Sequence, residues 1–318
     1  MAIDLSHIDQ RKLGVRIEVI GVGGAGSRVV DQMSRSSVRG ADLMCVDTDA
    51  RNLASCTTGR TLQLGASGLS AAQVSTARYA AELATDQIHK LVEGAQMVVI
   101  TAGLGSGTGS GVAPVIASIA NELGILTMGV VTTPLDYETS VRHQIAKTAL
   151  KQLEPNMDLL IVLPLASIFE MVGAEVTEPE MFSLTQNMLR ATVEGIVGIV
   201  SVPSFINVKV EDLRAAIGKA GKARMGVGAS AGHNRASSAT KAAATSPLLE
   251  GIDLSVAKTV LVLICAAKGS LSLTECGVVM KTVEGYVSSE THLLHGATYD
   301  ESLGDEVRVI VVAIQLEE

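Results

Sequence analysis

A chain of 318 residues is long enough for two packed domains or one large one. Its 47% hydrophobic and 18% charged residues exclude a disordered chain, and a net charge of −8 without a basic run argues against a nucleic-acid partner. The polar start, MAIDLSHIDQRK, is no signal peptide, and no apolar run reaches the roughly 18 residues of a spanning helix, so direct membrane insertion is not expected.

Aromatic residues are only 2% of the chain and Trp is absent. Ala, Val, Ile and Leu must therefore build the core, as they do in parallel sheets covered on both faces. Cys45, Cys56, Cys265 and Cys276 lack metal-ligand spacing and read as reduced, mostly buried thiols of a cytoplasmic protein. No metal site is expected from side chains.

Residues 1–13 read as a loose leader, and residues 15–22 (VRIEVIGV) as a strand. That strand runs into Gly21-Val22-Gly23-Gly24-Ala25-Gly26 and then a helical stretch from Ser27 to Met33. The turn also fits G-x-G-x-x-G, with Asp47 near the end of the next strand, residues 43–46. Taken alone, that spacing suits a ribose-binding acid in a nicotinamide or flavin enzyme. Residues 60–64 form a short strand, and the Ala-rich residues 71–93 a helix with apolar positions three and four apart.

The stretch around which the chain is organised is MVVITAGLGSGTGSGVAP, residues 97–114. A β-branched run breaks into Gly105-Ser106-Gly107-Thr108-Gly109-Ser110-Gly111, and a helix follows. A buried strand, a glycine turn and a helix start make a phosphate cradle. Glycine admits close approach of the backbone, amides point inward, and the helix end is partially positive. The hydroxyls of Ser106, Thr108 and Ser110 can add donors.

Residues 125–132 are a further buried strand stopped by Thr133-Pro134, and residues 137–153 a helix. Glu138 and Arg142 stand four apart at its start, as a surface ion pair or as ligand contacts. Residues 158–163 are the next strand. Alternating strands and helices predict a mostly parallel sheet with both glycine turns at the strand C-terminal ends, where ligands bind.

Residues 178–202 read as one long helix of about 37 Å, with Pro179 in its first turn and Pro203 ending it. Phe182 and Gln186 share a face. Residues 204–208 lead into a short helix, 210–218, and a low-complexity stretch in which 229–245 read as a helix. Strands at 258–266, 286–288, 291–297 and 307–315, with a helix at 272–283, make a second α/β module.

Two glycine turns, the long helix and the second module together resemble the FtsZ family of the tubulin superfamily. Gly103–Gly111 (GLGSGTGSG) is close to the tubulin signature G-G-G-T-G-T-G, supported by IGVGGAGSR at 20–28, VDTDARNL at 46–53, SPLLEGIDLSVA at 246–257 and DEVRVIVVA at 305–313. The resemblance implies a Rossmann-like GTP-binding domain (1–177), a central helix (178–203) and a smaller α/β activation domain (204–318). It implies a self-assembling cytoplasmic GTPase of cell division. Subunits stack head to tail with GTP or GDP between them, Mg²⁺ arrives through the phosphates, and a neighbour's acidic loop polarises the attacking water.

By that resemblance Gly23, Gly24, Ala25, Gly26 and Ser27 form the first phosphate loop, and Gly105, Gly107, Thr108 and Gly109 the second. Glu138 and Arg142 match the pair P-x-x-x-E-x-x-x-R near the ribose and base. Phe182 matches the aromatic residue on the base, and Gln186, followed by Asn187, the base-reading position. Gln186 stands where the family has Asp, and Leu165 where it has Asn, so guanine is held by weaker acceptors.

The family's catalytic loop is N-x-D-x-x-D, and here it is Asn207-Val208-Lys209-Val210-Glu211-Asp212. Lys209 replaces the first aspartate. A lost carboxylate predicts slow GTP hydrolysis by Asn207 and Asp212. The alternatives are a polymer or modulator of another FtsZ that does not hydrolyse, a Lys209 that faces solvent while Asp212 suffices, and, read from residues 21–26 alone, an NAD-dependent oxidoreductase, against which the second glycine turn speaks. The terminal-phosphate loop, GASGLSAAQ, is shorter than the family's. No linker or partner-binding peptide follows Glu318, which fits a trimmed chain or a tail-less paralogue; Lys209 favours the paralogue.

Overall fold

A computed structural model describes residues 15–36, 40–65, 73–173, 175–201, 208–218 and 221–315. The chain alternates strand and helix from its start: β1 (Ile17–Val22), α1 (Gly23–Arg35), β2 (Asp42–Asp47), a short α2 (Ala50–Ala54) and β3 (Thr61–Gln63). Two helices follow, α3 (Val74–Leu83) and α4 (Thr85–Val92), then β4 (Met97–Gly103), α5 (Gly107–Glu122), β5 (Leu126–Thr133), α6 (Ser140–Leu153), β6 (Leu159–Pro164) and α7 (Leu165–Val172). The long helix is α8 (Glu178–Ser201). Beyond it come α9 (Val210–Ile217), β7 (Gly221–Ala231), α10 (Arg235–Ala244), β8 (Thr259–Ala266), α11 (Leu273–Glu284), β9 (His292–Tyr299) and β10 (Glu306–Gln315).

The strands form one ten-stranded sheet in the order β3-β2-β1-β4-β5-β6-β7-β10-β8-β9. From β3 to β7 every pair is parallel. Only β10 runs against its neighbours β7 and β8. Every residue of β1 and of β8 is buried. Helices cover both faces, as the run of apolar residues without alternation requires.

The core is split by the sheet. On one face α1, α8 and α9 pack on β4–β7 through Val29, Met33, Met188, Ile196 and Leu213. On the other, α3–α6 pack through Ala77, Ile88, Ile116 and Leu153. A third cluster joins α10 and α11 to β8 and β10. Among the described residues no helix is long and apolar enough to cross a membrane. The thiols of Cys45 and Cys265 are buried and those of Cys56 and Cys276 half-buried; all four are unpaired.

Four element expectations need correction. The helix expected over 71–93 is two, broken at Ala84, whose φ of −98° and ψ of 16° leave the helical region. The helix expected from residue 137 starts at Ser140, so Glu138 lies in the turn before it. Residues 286–288 are turn, and the strand there begins at His292.

The largest correction is β7, in the low-complexity stretch: the helix expected over 229–245 is present as α10 but starts only at Arg235, and the strand occupies the residues up to Ala231. Glycine explains it. A Cβ on Gly226 would stand 2.0 Å from the Ala243 carbonyl oxygen, and one on Gly228 2.1 Å from that of Ala239. The missing side chains let α10 lie directly on the strand. Gly232, at a φ of +83°, reverses the chain between them. Helices α2 and α7 had no counterpart in the sequence reading.

Candidate functional site

Because the strands are parallel, their C-terminal ends form one edge. Along it lie the turns after β1, β2, β4 and β5. The turn after β1 has no spacer, since α1 starts at Gly23, whose φ is +70°. A Cβ on Gly23 would lie 3.2 Å from the Gly109 nitrogen and 3.3 Å from Thr108 Cβ. The two glycine turns are therefore in contact.

Close approach governs the rest of both turns. A Cβ on Gly26 would stand 2.1 Å from the Thr101 carbonyl oxygen, and one on Gly109 2.2 Å from that of Gly103. Gly105, with a φ of +93°, sits against Pro134 and the Arg142 backbone. The Gly105 amide donates to Ser110 Oγ at 2.9 Å, and Ser106 Oγ donates to the Gly103 carbonyl at 3.3 Å. Gly24 differs, because only Asn52 Nδ2 lies near its missing Cβ, at 3.5 Å. That space is open.

No side chain caps either α1 or α5. Their first amides face the same edge, and each helix end is partially positive. In the adjoining elements, Ser27 Oγ of α1 and Thr101 Oγ1 of β4 are buried without a hydrogen-bond partner. Uncapped amides beside the room above Gly24 fit a phosphate-bearing ligand.

At the end of β2, Thr48 Oγ1 and Thr108 Oγ1 share a hydrogen bond of 2.9 Å. Asp47 is held by its own turn. Its Oδ1 accepts from the Thr48 and Asp49 amides at 2.7 and 3.2 Å, and its Oδ2 from Asn52 at 2.8 Å. This carboxylate organises the turn and offers no free pair of oxygens to a ribose. Thr48 and Asn52 are site residues that the sequence reading did not single out, although VDTDARNL carried the signal. Asp49 is held below the usual carboxylate range by the Arg51 side chain and amide.

Glu138 and Arg142 form an ion pair of 2.6 Å, and the second oxygen of Glu138 accepts from the Leu135 amide at 2.8 Å. The pair stiffens the turn after β5, beside Gly105. Phe182 is 45% exposed near the start of α8. Gln186 Oε1 accepts from Gln32 Nε2 at 3.0 Å, which fastens α8 to α1, and Asn187 is half-buried beside it.

Lys209, Glu211 and Asp212 are elsewhere. They open α9, where the Lys209 amide donates to Asp212 Oδ2 at 3.3 Å, and all three residues are exposed. Arg214 of α9 pairs with Asp158, just before β6, and donates to the Gly124 carbonyl, just before β5. This is the N-terminal edge of the sheet. Strand β5 has 8 residues, so at about 3.3 Å each roughly 26 Å separates the edges. One chain does not bring these groups to its own glycine turns. Asn207 lies outside the described residues.

The profile of the Tubulin/FtsZ family, GTPase domain, matches residues 16–173, and that of the FtsZ family, C-terminal domain, residues 221–317. The cell division protein FtsZ of Coxiella burnetii is 39% identical over 305 residues, which cover 95% of this chain and 79% of that protein. FtsZ of Pseudomonas putida is 39% identical, over 94% of this chain and 76% of that one. Among solved structures, an empty FtsZ dimer from M. jannaschii superposes with a TM-score of 0.87 and 31% identity, over 98% of this chain and 93% of that one. CetZ1 from Haloferax volcanii, a GDP-bound monomer, shares the fold at a TM-score of 0.73 and 17% identity, over 94% of each chain.

Proposed function

The chain belongs to the FtsZ family, and from that premise we propose a GTP-binding cytoplasmic protein that assembles head to tail and hydrolyses GTP slowly between subunits. One observation carries this reading: the glycine turns and the α9 acids stand at opposite edges of the parallel part of the sheet. A head-to-tail stack brings the α9 edge of one subunit onto the glycine edge of the next. The domain division proposed is 1–177, 178–203 and 204–318, with the process served being cell division.

In this reading Gly23, Gly24, Ala25, Gly26 and Ser27 hold one side of the phosphates, and Gly105, Gly107, Thr108 and Gly109 the other. Amides and hydroxyls supply all the donors these turns offer. Mg²⁺ would be held mainly by phosphate oxygens, where it offsets their charge. Phe182 stacks on the base, and Gln186 and Asn187 meet its edge. Arg142, oriented by Glu138, meets the ribose side.

Hydrolysis needs a water positioned and polarised at the terminal phosphate. Asp212 and Asn207 of the neighbour take that role. Asp212 already accepts from its own helix start, and Lys209 brings a cation where a second carboxylate would stand. One carboxylate fewer then polarises the water, so turnover is slow. Lys209 also supports a second reading, in which the cation holds the terminal phosphate and the polymer, with itself or with another FtsZ, does not turn over.

GTP turnover and sedimentation, measured together against protein concentration, test the proposal. Turnover per subunit that rises above a critical concentration, with pelleting, supports a shared site. Pelleting without turnover favours the static polymer. Constant turnover per subunit without pelleting overturns both.

A further inference from the structure

The guanidinium of Arg51 stands at the glycine edge of the sheet with 90% of its side chain exposed. Its partner is its near neighbour Asp49, through Nη2 to Oδ2 at 2.7 Å and Nε to Oδ1 at 3.1 Å. The turn that carries it is fixed on both sides. Thr48, three residues before, bonds Thr108 of the second glycine turn. Asn52, one residue after, lies 3.5 Å from the open position above Gly24 of the first. Arg51 thus belongs to a segment that touches both turns.

The turns themselves carry no cation, although exposed Arg28 directly follows the first and the Arg142 backbone packs on Gly105 of the second. Neither 23–27 nor 103–111 includes a lysine or arginine. Amides and hydroxyls suit the inner phosphates, but a terminal phosphate carries the most charge and projects furthest from the backbone. An exposed ion pair is held weakly, and a guanidinium binds phosphate in a planar, two-pronged fashion.

We propose that Arg51 leaves Asp49 for the terminal phosphate of a bound nucleoside triphosphate, and so helps this pocket distinguish triphosphate from diphosphate beside the terminal-phosphate loop. The inference rests on the nucleotide-binding reading above and deepens it. The Asp49–Arg51 pair is then the diphosphate or empty arrangement, and its opening is the response to the third phosphate.

The test is equilibrium titration of the full chain with fluorescent GDP and with a fluorescent, non-hydrolysable GTP analogue, in magnesium and below the polymerising concentration. Arg51→Ala is expected to weaken the triphosphate analogue by roughly ten- to a hundredfold and GDP by less than about threefold. Arg51→Lys regains part of the loss. An equal loss for both ligands, or none for either, overturns the inference while wild-type binding leaves the parent reading intact. A wild-type chain that binds neither ligand overturns both.

Discussion

Arg214 meets Asp158 across 3.4 Å, from Nη1 to Oδ1, while its Nη2 donates to the Gly124 carbonyl at 2.9 Å. Two contacts to the beginnings of β5 and β6 fix α9 at the edge of the sheet away from the glycine turns. Asp212, two residues before Arg214, is held there with it. It is exposed there, away from the glycine turns of its own chain.

Lys209→Asp restores a carboxylate at the start of α9. Turnover in the polymer should rise by roughly ten- to a hundredfold, since a term of about 1.4 kcal/mol is tenfold in rate. Nucleotide affinity of the unassembled chain should not change, because the residue is at the other edge. Steady-state turnover above the critical concentration, with a binding titration below it, checks both halves.

Glycines of the cradle differ in kind, and substitution separates them. A Cβ on Gly109 meets a backbone oxygen at 2.2 Å, whereas one on Gly24 meets only the Asn52 amide at 3.5 Å. Gly109→Ala should cost about 1–3 kcal/mol and shift the denaturation midpoint downward. Gly24→Ala should leave the midpoint within about 0.5 kcal/mol of wild type.

Acid weakens the second module through a named pair. Hydrogen bonds from Arg235 hold Glu275 down to about 2, against burial, which raises it, and with help from Ser272. A carboxylate whose folded value is depressed stabilises the fold above its unfolded value of 4.5 and loses that contribution as pH falls towards 2. Glu275→Gln should therefore flatten stability between about pH 4.5 and about pH 2, and its deficit against wild type should be larger at pH 7 than at pH 3. Denaturant midpoints at those two values check the sign.

The parallel half was legible because its signals are local. Apolar runs such as VVIT and GVVT end in glycine or proline, and that alone marks strand ends and turns. The two cradles and the long helix followed from this. The strand β7 was hidden because its pattern, GKARMGVGASA, carries glycine where a strand usually carries a β-branched residue. Its reason is tertiary: α10 needs the space at Gly226 and Gly228. Asp47 misled for a similar reason, since the spacing of an acid says nothing of whether its oxygens are already bonded. The separation of Asp212 from Gly109 is a property of topology, visible only once Arg214 is seen to fasten α9 to the starts of β5 and β6.

A mixing experiment tests the shared site most directly. Gly24→Asp puts a negative charge into the open space of the phosphate cradle and should abolish nucleotide binding while leaving α9 intact. Asp212→Ala leaves the cradle intact and removes the α9 acid. Each variant alone should be inactive in GTP turnover. Mixed in equal amounts, they should recover a measurable fraction of wild-type turnover, because an intact α9 of one can meet an intact cradle of the other. A mixture no more active than the sum of its parts would contradict the account.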